Sequence, residues 1–443
     1  MTNRVNHRDD LIKVNSNLKF IRSIDESCKF YRSLHDSSGL NSQLNQSPGG
    51  FSLSVSSQPQ LLTPNSVKKI YQSNNWKEIK KLQDQSDNDL NAIYTNFRNH
   101  PNNCWNEVED DTTGEHYFMS WDVKGNYVWT YCASVNTIND PFNPQGKFSG
   151  ITQYGVFSKT TSICGIHSYN LTTPTLLVES VFSLILSNFI SKLVKQGINF
   201  LSSSLVSLIS EAAADAGLDA VFTIASAALG FICSCVVFAI VFIGISYLWN
   251  FLNKRFQICV SIYNWDTVND CLITKQSLSN AINPGQDLST NLSIKINKQL
   301  PAGSTPSIPG FGLTLPPDIG QMLIKTTESV VAYAFIVYEN LQTFLQGCSF
   351  SFSINFSSKQ NSGFTYAFQC PWVASNGHYI ENTIQDPSSF LKKARSNWVS
   401  STNALTTNVE YIPINCFIDS LTGGDADGSD NYQVVIHIGN QTN

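Results

Sequence analysis

AVFTIASAALGFICSCVVFAIVFIGISYLWNFL, residues 220–252, decides how this chain is read, because no Asp, Glu, Lys or Arg occurs anywhere in residues 220–253. A membrane-crossing helix needs roughly 20 such residues, so the stretch is long enough to span. It ends in Trp249 followed by Lys254 and Arg255, the order expected at a water interface. Ser226, Gly230 and Ser234 recur at four-residue spacing, which lets two helices approach closely without a water-driven force.

The preceding stretch, residues 176–210, has a different pattern. Ser180, Ser183, Ser187, Ser191, Lys195, Asn199 and Ser202 recur every three or four positions, and Leu, Ile, Val and Phe fill the rest. Such a stripe either lines water inside a pore or faces solvent. EAAADAGLD, residues 211–219, is acidic and carries Gly217, so it reads as a polar tip where the chain turns back. Together these features predict a hydrophobic helical hairpin with arms of about 35 residues, roughly 50 Å each at the helical rise. Its lipid-facing residues would be Leu176, Phe182, Phe189, Phe200, Phe222, Gly230, Phe238, Phe242 and Trp249, and Ser180, Ser183, Ser187, Ser191, Lys195 and Asn199 would line the pore.

Downstream of Arg255 the period changes to two. Residues 256–263, 291–297, 330–338, 349–355, 363–368, 411–417 and 432–438 alternate or carry strand-forming residues, separated by Gly, Pro, Asn and Ser. Seven short strands of this kind predict a β-sandwich. LPAGSTPSIPGFGLTLPPD, residues 300–318, reads as a long loop, and residues 388–398 as a short helix. The fold class expected is therefore α+β: a helical N-terminal part with the long hydrophobic hairpin, followed by a C-terminal β-sandwich.

RFQICVSIYNWD at 255–266, VVAYAFIVY at 330–338 and GFTYAFQCPWVASNGHYI at 363–380 make the last part of the chain resemble the actinoporin-like cytolysins and related fungal fruit-body lectins. That resemblance implies a sandwich that reads phospholipid headgroups with aromatics while a preceding amphipathic helix inserts and builds a pore. By the same resemblance Pro371, Trp372 and Tyr379 fall in the lipid- or glycan-contact region, with Tyr366 nearby. The family's helix is short and single, whereas this chain has a long apolar stretch. Independently, a proline-fixed corner displaying Trp and Tyr suits a lipid–water boundary; core packing of Trp372 and Tyr379 is the alternative.

Working back to the start, residues 1–35 carry apolar side chains at mostly three- and four-residue spacing with Lys and Arg between them, predicting one amphipathic helix. Residues 37–64 are rich in Ser, Gln, Asn, Gly and Pro and read as a linker. Helical patterns follow at 67–82 and 90–97. Residues 116–123 and 127–135 then flank Lys124, Gly125 and Asn126 as an aromatic hairpin. The segments drawn are 1–64, helix and linker; 65–173, mixed helix and hairpin; 174–254, hydrophobic hairpin; and 255–443, sandwich.

Among 443 residues, 28 Lys plus Arg stand against 33 Asp plus Glu, a formal charge of -5. With no basic run, the footprint that supplies most nucleic-acid affinity is missing. Charged residues reach 14 %, against about 25 % in an average soluble domain, so the surface is neutral rather than ionic. Eleven cysteines without C-x-x-C pairs suggest buried thiols rather than a zinc site or a disulfide framework. MTNRVNHRDDLIK has no apolar core behind its basic residues, which leads us to expect synthesis in the cytosol without a signal peptide, then non-classical release or storage before a target membrane is met. An intracellular membrane is the alternative location.

No zincin, P-loop, dinucleotide or nucleophile-elbow motif occurs. His116 beside Glu115 and His378 beside Tyr379 have no adjacent nucleophile, so a non-enzymatic protein without a cofactor is expected. Asp425, Asp427 and Asp430 in GGDADGSD put three carboxylates on a glycine-rich turn, a grouping suited to calcium, with a plain solvated turn as the alternative. The function expected is a pore-forming, toxin-like protein whose sandwich recognises a membrane or glycan and whose hairpin inserts as a homo-oligomer. A hairpin-anchored intracellular membrane protein and a soluble lectin-like or self-assembling storage protein are the alternatives.

Overall fold

A computed structural model describes residues 5–40, 51–72, 76–137, 148–173, 177–196, 202–218, 222–224, 256–283, 291–299, 307–308, 311–312, 327–341, 347–422 and 430–439. The N-terminal elements are α1 (Arg8–Val14), β1 (Leu18–Ser23), α2 (Ile24–Ser38), β2 (Phe51–Pro64), α3 (Asn65–Gln72), α4 (Trp76–Asn99), β3 (Asn106–Asp110), β4 (His116–Trp121), β5 (Tyr127–Thr137), β6 (Phe148–Ser158) and β7 (Ile163–Thr173). Next come α5 (Glu179–Gln196), α6 (Ser202–Asp215), β8 (Phe222–Ile224), β9 (Phe256–Asn264), β10 (Cys271–Ser279), β11 (Ala281–Ile282), β12 (Asn291–Ile296), β13 (Ser307–Ile308), β14 (Phe311–Gly312) and β15 (Thr327–Asn340). The chain finishes with β16 (Cys348–Phe356), β17 (Gly363–Cys370), β18 (Gly377–Glu381), α7 (Pro387–Ala394), β19 (Ala404–Val409), β20 (Ile412–Ile418) and β21 (Asp430–Ile438).

The protein is mostly β, and the α+β plan built on a long hydrophobic helical hairpin is overturned. Where one long first arm was expected, two shorter helices, α5 and α6, pack on each other. The second of them stops at Gly217, whose φ of 81° is left-handed backbone that favours glycine. A Cβ there would also lie 2.5 Å from the Arg32 Cα, so the chain turns against α2. Residues 222–224 then enter the sheet as β8, parallel to Phe51–Leu53 of β2. Among the described residues no helix is long and apolar enough to cross a membrane; residues 225–255, most of the expected second arm, lie outside them.

Two other expectations are corrected near the N-terminus. The single amphipathic helix over residues 1–35 is a helix, a strand and a helix, because Leu18–Ser23 pairs antiparallel with Asn106–Asp110. A capping box of Ser23 and Glu26 then starts α2, satisfying backbone donors at the helix N-terminus. The second half of the Ser-rich linker is strand β2, held on both sides by β7 and β15.

One sheet of 14 strands runs through the molecule in the order β1-β3-β4-β5-β6-β7-β2-β15-β9-β21-β20-β19, with β8 on β2 and β11 on β15. Period-two alternation in the β4–β5 hairpin splits its aromatics between the two faces. Phe118, Val128 and Cys132 join the core beneath α4, α5 and α6, whereas Tyr117, Met119, Trp121, Tyr127, Trp129 and Tyr131 form a second core on the opposite face. A five-stranded sheet, β12-β10-β16-β17-β18, packs face to face with the β15–β9–β21–β20 part of the long one. Ile258, Val260, Ile262, Ala334, Ile336 and Tyr338 meet Phe350, Phe352, Phe364, Tyr366 and Phe368 there. The alternate residues Cys259, Tyr263, Tyr333, Phe335 and Val337 face the helix-covered core, which is why β9 and β15 read as unbroken apolar runs.

Candidate functional site

The turn between β17 and β18 forms a corner at one end of the sandwich. Cys370 closes the β16–β17 ladder opposite Cys348, and Pro371, which has no N–H, cannot extend it. Gly347 supports the corner from beneath, since a Cβ there would lie 2.2 Å from the Cys370 carbonyl oxygen and 2.5 Å from the Pro371 Cα. On the far side, buried Asn376 donates from its backbone N–H to the Leu421 carbonyl at 2.8 Å and from Nδ2 to the Ser420 carbonyl at 3.1 Å. Backbone contacts on both sides thus fix residues 371–376.

Half-buried Pro371 and Trp372 shape this corner. The Trp372 ring meets Phe256 edge-on, with centroids 5.7 Å apart at 82°. Val373 projects beyond them with 86 % of its surface exposed, the highest among the exposed large hydrophobic side chains. Sequence reasoning passed over Val373, since residue order does not show which side chain of the Pro-Trp-Val run is exposed. Phe256 opens β9 and is the first described residue after the uncharged stretch at 220–253.

Other residues singled out from the sequence are placed elsewhere. Tyr366 is fully buried in the sandwich core, its hydroxyl 3.4 Å from Nδ1 of His378, so it does not reach the headgroup-contact surface implied by the resemblance. Tyr379 stacks on Phe390 at 5.3 Å and donates to Glu381; this bond, together with burial, pushes its hydroxyl up to about 12. Phe182 and Phe189 are buried beneath the sheet. Phe222 lies in β8. Leu176, Phe200, Gly230, Phe238, Phe242 and Trp249 lie outside the described residues.

The hydroxyl stripe of α5 faces protein rather than water. Ser187 shares a 2.6 Å hydrogen bond with Thr130 of β5, Ser191 donates to the Pro101 carbonyl at 3.0 Å, and the Ser180 hydroxyl shares a 2.6 Å hydrogen bond with that of Tyr31. Ser183 is buried, with its carbonyl accepting from Thr130 at 3.0 Å. Lys195 is exposed, and Asn199 is outside the described residues. Asp430 begins β21, whereas Asp425 and Asp427 are outside the description. Among the described residues no group of His, Cys, Asp or Glu is arranged to hold a metal.

His116 belongs to a buried charge cluster that the sequence did not announce. Its Nδ1 lies 2.9 Å from one oxygen of Glu107, and Arg22 Nε lies 2.8 Å from the other. Ser27 and Tyr31 hydroxyls also donate to Glu107, at 2.7 and 3.1 Å. Burial alone would raise the Glu107 pKa, yet the bonds from His116 and Ser27 and the charge of Arg22 hold it below the ordinary carboxylate value. The bond to Glu107 in turn raises the pKa of His116.

No protein-family model matches the chain, and no curated protein matches it significantly. Loose matches occur among solved structures. The lipid binding protein Nakanori aligns over 41 % of this chain and 71 % of its own, at 7 % identity and a TM-score of 0.22. RahU, solved with a TRIS molecule, aligns over 43 % and 99 % at 11 % identity and a TM-score of 0.18. IP-1A from Alcaligenes faecalis aligns over 43 % and 95 % at 14 % identity and a TM-score of 0.17. Superposition this loose, at such identities, establishes neither a shared fold nor a shared activity.

Proposed function

We propose that the protein is a non-enzymatic lipid-binding protein that docks on bilayers through the Trp372 end of its C-terminal sandwich. The observation that carries this reading is the fixed corner on which Val373 is almost fully exposed beside Trp372, whose ring packs edge-on against Phe256. Burying an exposed Val side chain is favourable by about 1.5–3 kcal/mol, and a corner that is already rigid loses little ordering entropy on docking. Lipid contact by the uncharged stretch would add a much larger apolar term.

A finer proposal is that several copies then permeabilise the bilayer, because one such stretch cannot enclose a lumen. Cytosolic synthesis with later release or storage belongs to the same proposal. The test is co-sedimentation with phosphatidylcholine and mixed anionic liposomes, with dye release read in parallel. The wild type should bind, and Val373→Asp should bind about tenfold or more weakly while keeping its melting temperature. Equal binding by Val373→Asp, or no binding by the wild type to any composition, overturns the docking reading; binding without dye release overturns only the permeabilising step.

A further inference from the structure

Away from that corner, a groove of about 760 Å³ opens between α2, the β3–β4 turn, β5 and the start of α5. This volume lies within the range of small-molecule sites. The charged side chains around it are already engaged. Arg22 and His116 both meet Glu107, at 2.8 and 2.9 Å, and Glu115 accepts from the Tyr117 and Tyr131 hydroxyls at 2.8 and 3.0 Å. Glu179 is partnered as well. A charged ligand would give up hydration here without meeting an unclaimed counter-charge, and such desolvation is costly.

The apolar lining lies to one side. The Arg22 guanidinium sits 4.0 Å from the centroid of the Phe30 ring, so these two side chains close a rim together and leave no bare aromatic face. Leu34 and Val178, 41 % and 51 % exposed, line the groove together with buried Leu177. Removing these aliphatic surfaces from water is favourable.

One polar group is left over. Ser183 of α5 lines the same groove and is 1 % exposed, yet its Oγ has no hydrogen-bond partner among the described residues. One turn earlier the Ser180 hydroxyl is satisfied, sharing its 2.6 Å bond with Tyr31. Leaving a buried hydroxyl unpaired is costly, and a serine hydroxyl can both donate and accept. The neutral group that complements both roles is another hydroxyl.

We propose that this groove binds a neutral amphiphilic alcohol, its hydroxyl at Ser183 and its hydrocarbon portion against Leu34, Leu177 and Val178. The site is separate from the Trp372 corner and does not rest on the lipid-docking reading. The hydrogen bond at Ser183 fixes orientation, and the wall rewards chain length by about fourfold in affinity per buried methylene.

Isothermal titration of the full chain with 1-octanol below its solubility limit, beside 1-hexanol, octanoate and octylammonium, tests the assignment. Octanol should bind at one site, hexanol about 15-fold more weakly, and both charged probes at least about tenfold more weakly. Ser183→Ala removes a hydroxyl that has no partner, so it should keep the melting temperature while weakening octanol about fivefold. Val178→Asp, at a half-exposed position, gives a second test that leaves Ser183 in place and should weaken octanol about tenfold. Absence of octanol binding, equal binding of octanoate or octylammonium, or wild-type affinity in either variant overturns the proposal.

Discussion

Beneath the β3–β4 end of the long sheet, a buried carboxylate is kept charged by Arg22, His116 and two hydroxyls, whereas at the sandwich end burial keeps two histidines neutral. His378, between the Tyr366 hydroxyl and the Thr402 carbonyl, is held down to about 4 by burial. His437 is held down to about 3 for the same reason, and its Nδ1 already accepts the Trp265 indole N–H at 2.9 Å. The long sheet and the five-stranded sheet packed on it thus hold two kinds of buried ionisable group. Losing a charge should damage the first, and gaining one should damage the second.

The largest expected effect tests the charged side. Glu107→Ala leaves Arg22 and His116 without their common partner and should cost about 3–5 kcal/mol in urea denaturation, as breaking a buried ion pair does. A loss below about 1 kcal/mol would show that the cluster behaves like a surface pair. Acid tests the neutral side. His378 and His437 bind protons more readily when unfolded, so their contribution is complete above about pH 6.5 and is lost as pH falls toward their folded values, each on the order of a few kcal/mol.

Glu107 and His116 respond differently. The contribution of Glu107 is present above its unfolded value of 4.5 and is lost as pH falls through its lowered folded value. That of His116 is present below 6.5 and is lost as pH rises through its raised one. Between 4.5 and 6.5 the charged cluster keeps both contributions while the sandwich is already weakening. Hydrogen exchange at about pH 5 and 7.5, corrected for intrinsic rates, should show β9, β20 and β21 losing protection in acid relative to β3 and β4; a uniform change along the sheet would break the contrast. His35, also held down by burial, adds an acid-sensitive contribution near α2, so amides around it do not serve as the reference.

The smallest effect sharpens the contrast within the sandwich. Gly347→Ala forces a methyl group against the Cys370–Pro371 backbone and should cost about 1–3 kcal/mol, as overpacking does. Liposome binding should fall with it if the corner is the docking element, and a stability loss with undiminished binding would separate the two.

Local pattern made part of this architecture legible. The aromatic hairpin, with Trp121 opposite Tyr127, was readable because its partners are close in sequence and Gly125, at φ 91°, marks the turn. The apolar runs of β9 and β15 were readable as strands because burial on both faces leaves no polar alternation. Phe51–Pro64 was not, since its Ser, Gln and Pro content looks like a linker and only distant β7 and β15 make it a strand. Residues 1–35 misled because Leu18 fits a helical spacing as well as a strand, although Ser23 and Glu26 announced a helix start. The hydroxyl stripe on α5 was read as facing water in a lumen or at the surface, whereas Ser187 and Ser191 meet Thr130 and Pro101, partners that sequence spacing does not distinguish from water. At the corner, Pro371 and Trp372 were legible while Val373 and the supporting Gly347 were not, because exposure and close backbone approach are properties of the folded chain.

The order in which strands join the long sheet has a consequence for synthesis. β21 lies between β9 and β20, parallel to the former, so β9 leaves the ribosome with one edge whose partner is encoded far later. β15 must likewise arrive before β2 and β9 belong to one sheet. A nascent chain therefore carries an open, strongly apolar β9 edge from residue 264 until β21 emerges at the end of translation. The protein should depend on chaperones that shield strand edges, and refolding from denaturant should be slow and concentration-sensitive, as assembly by late, distant pairings demands.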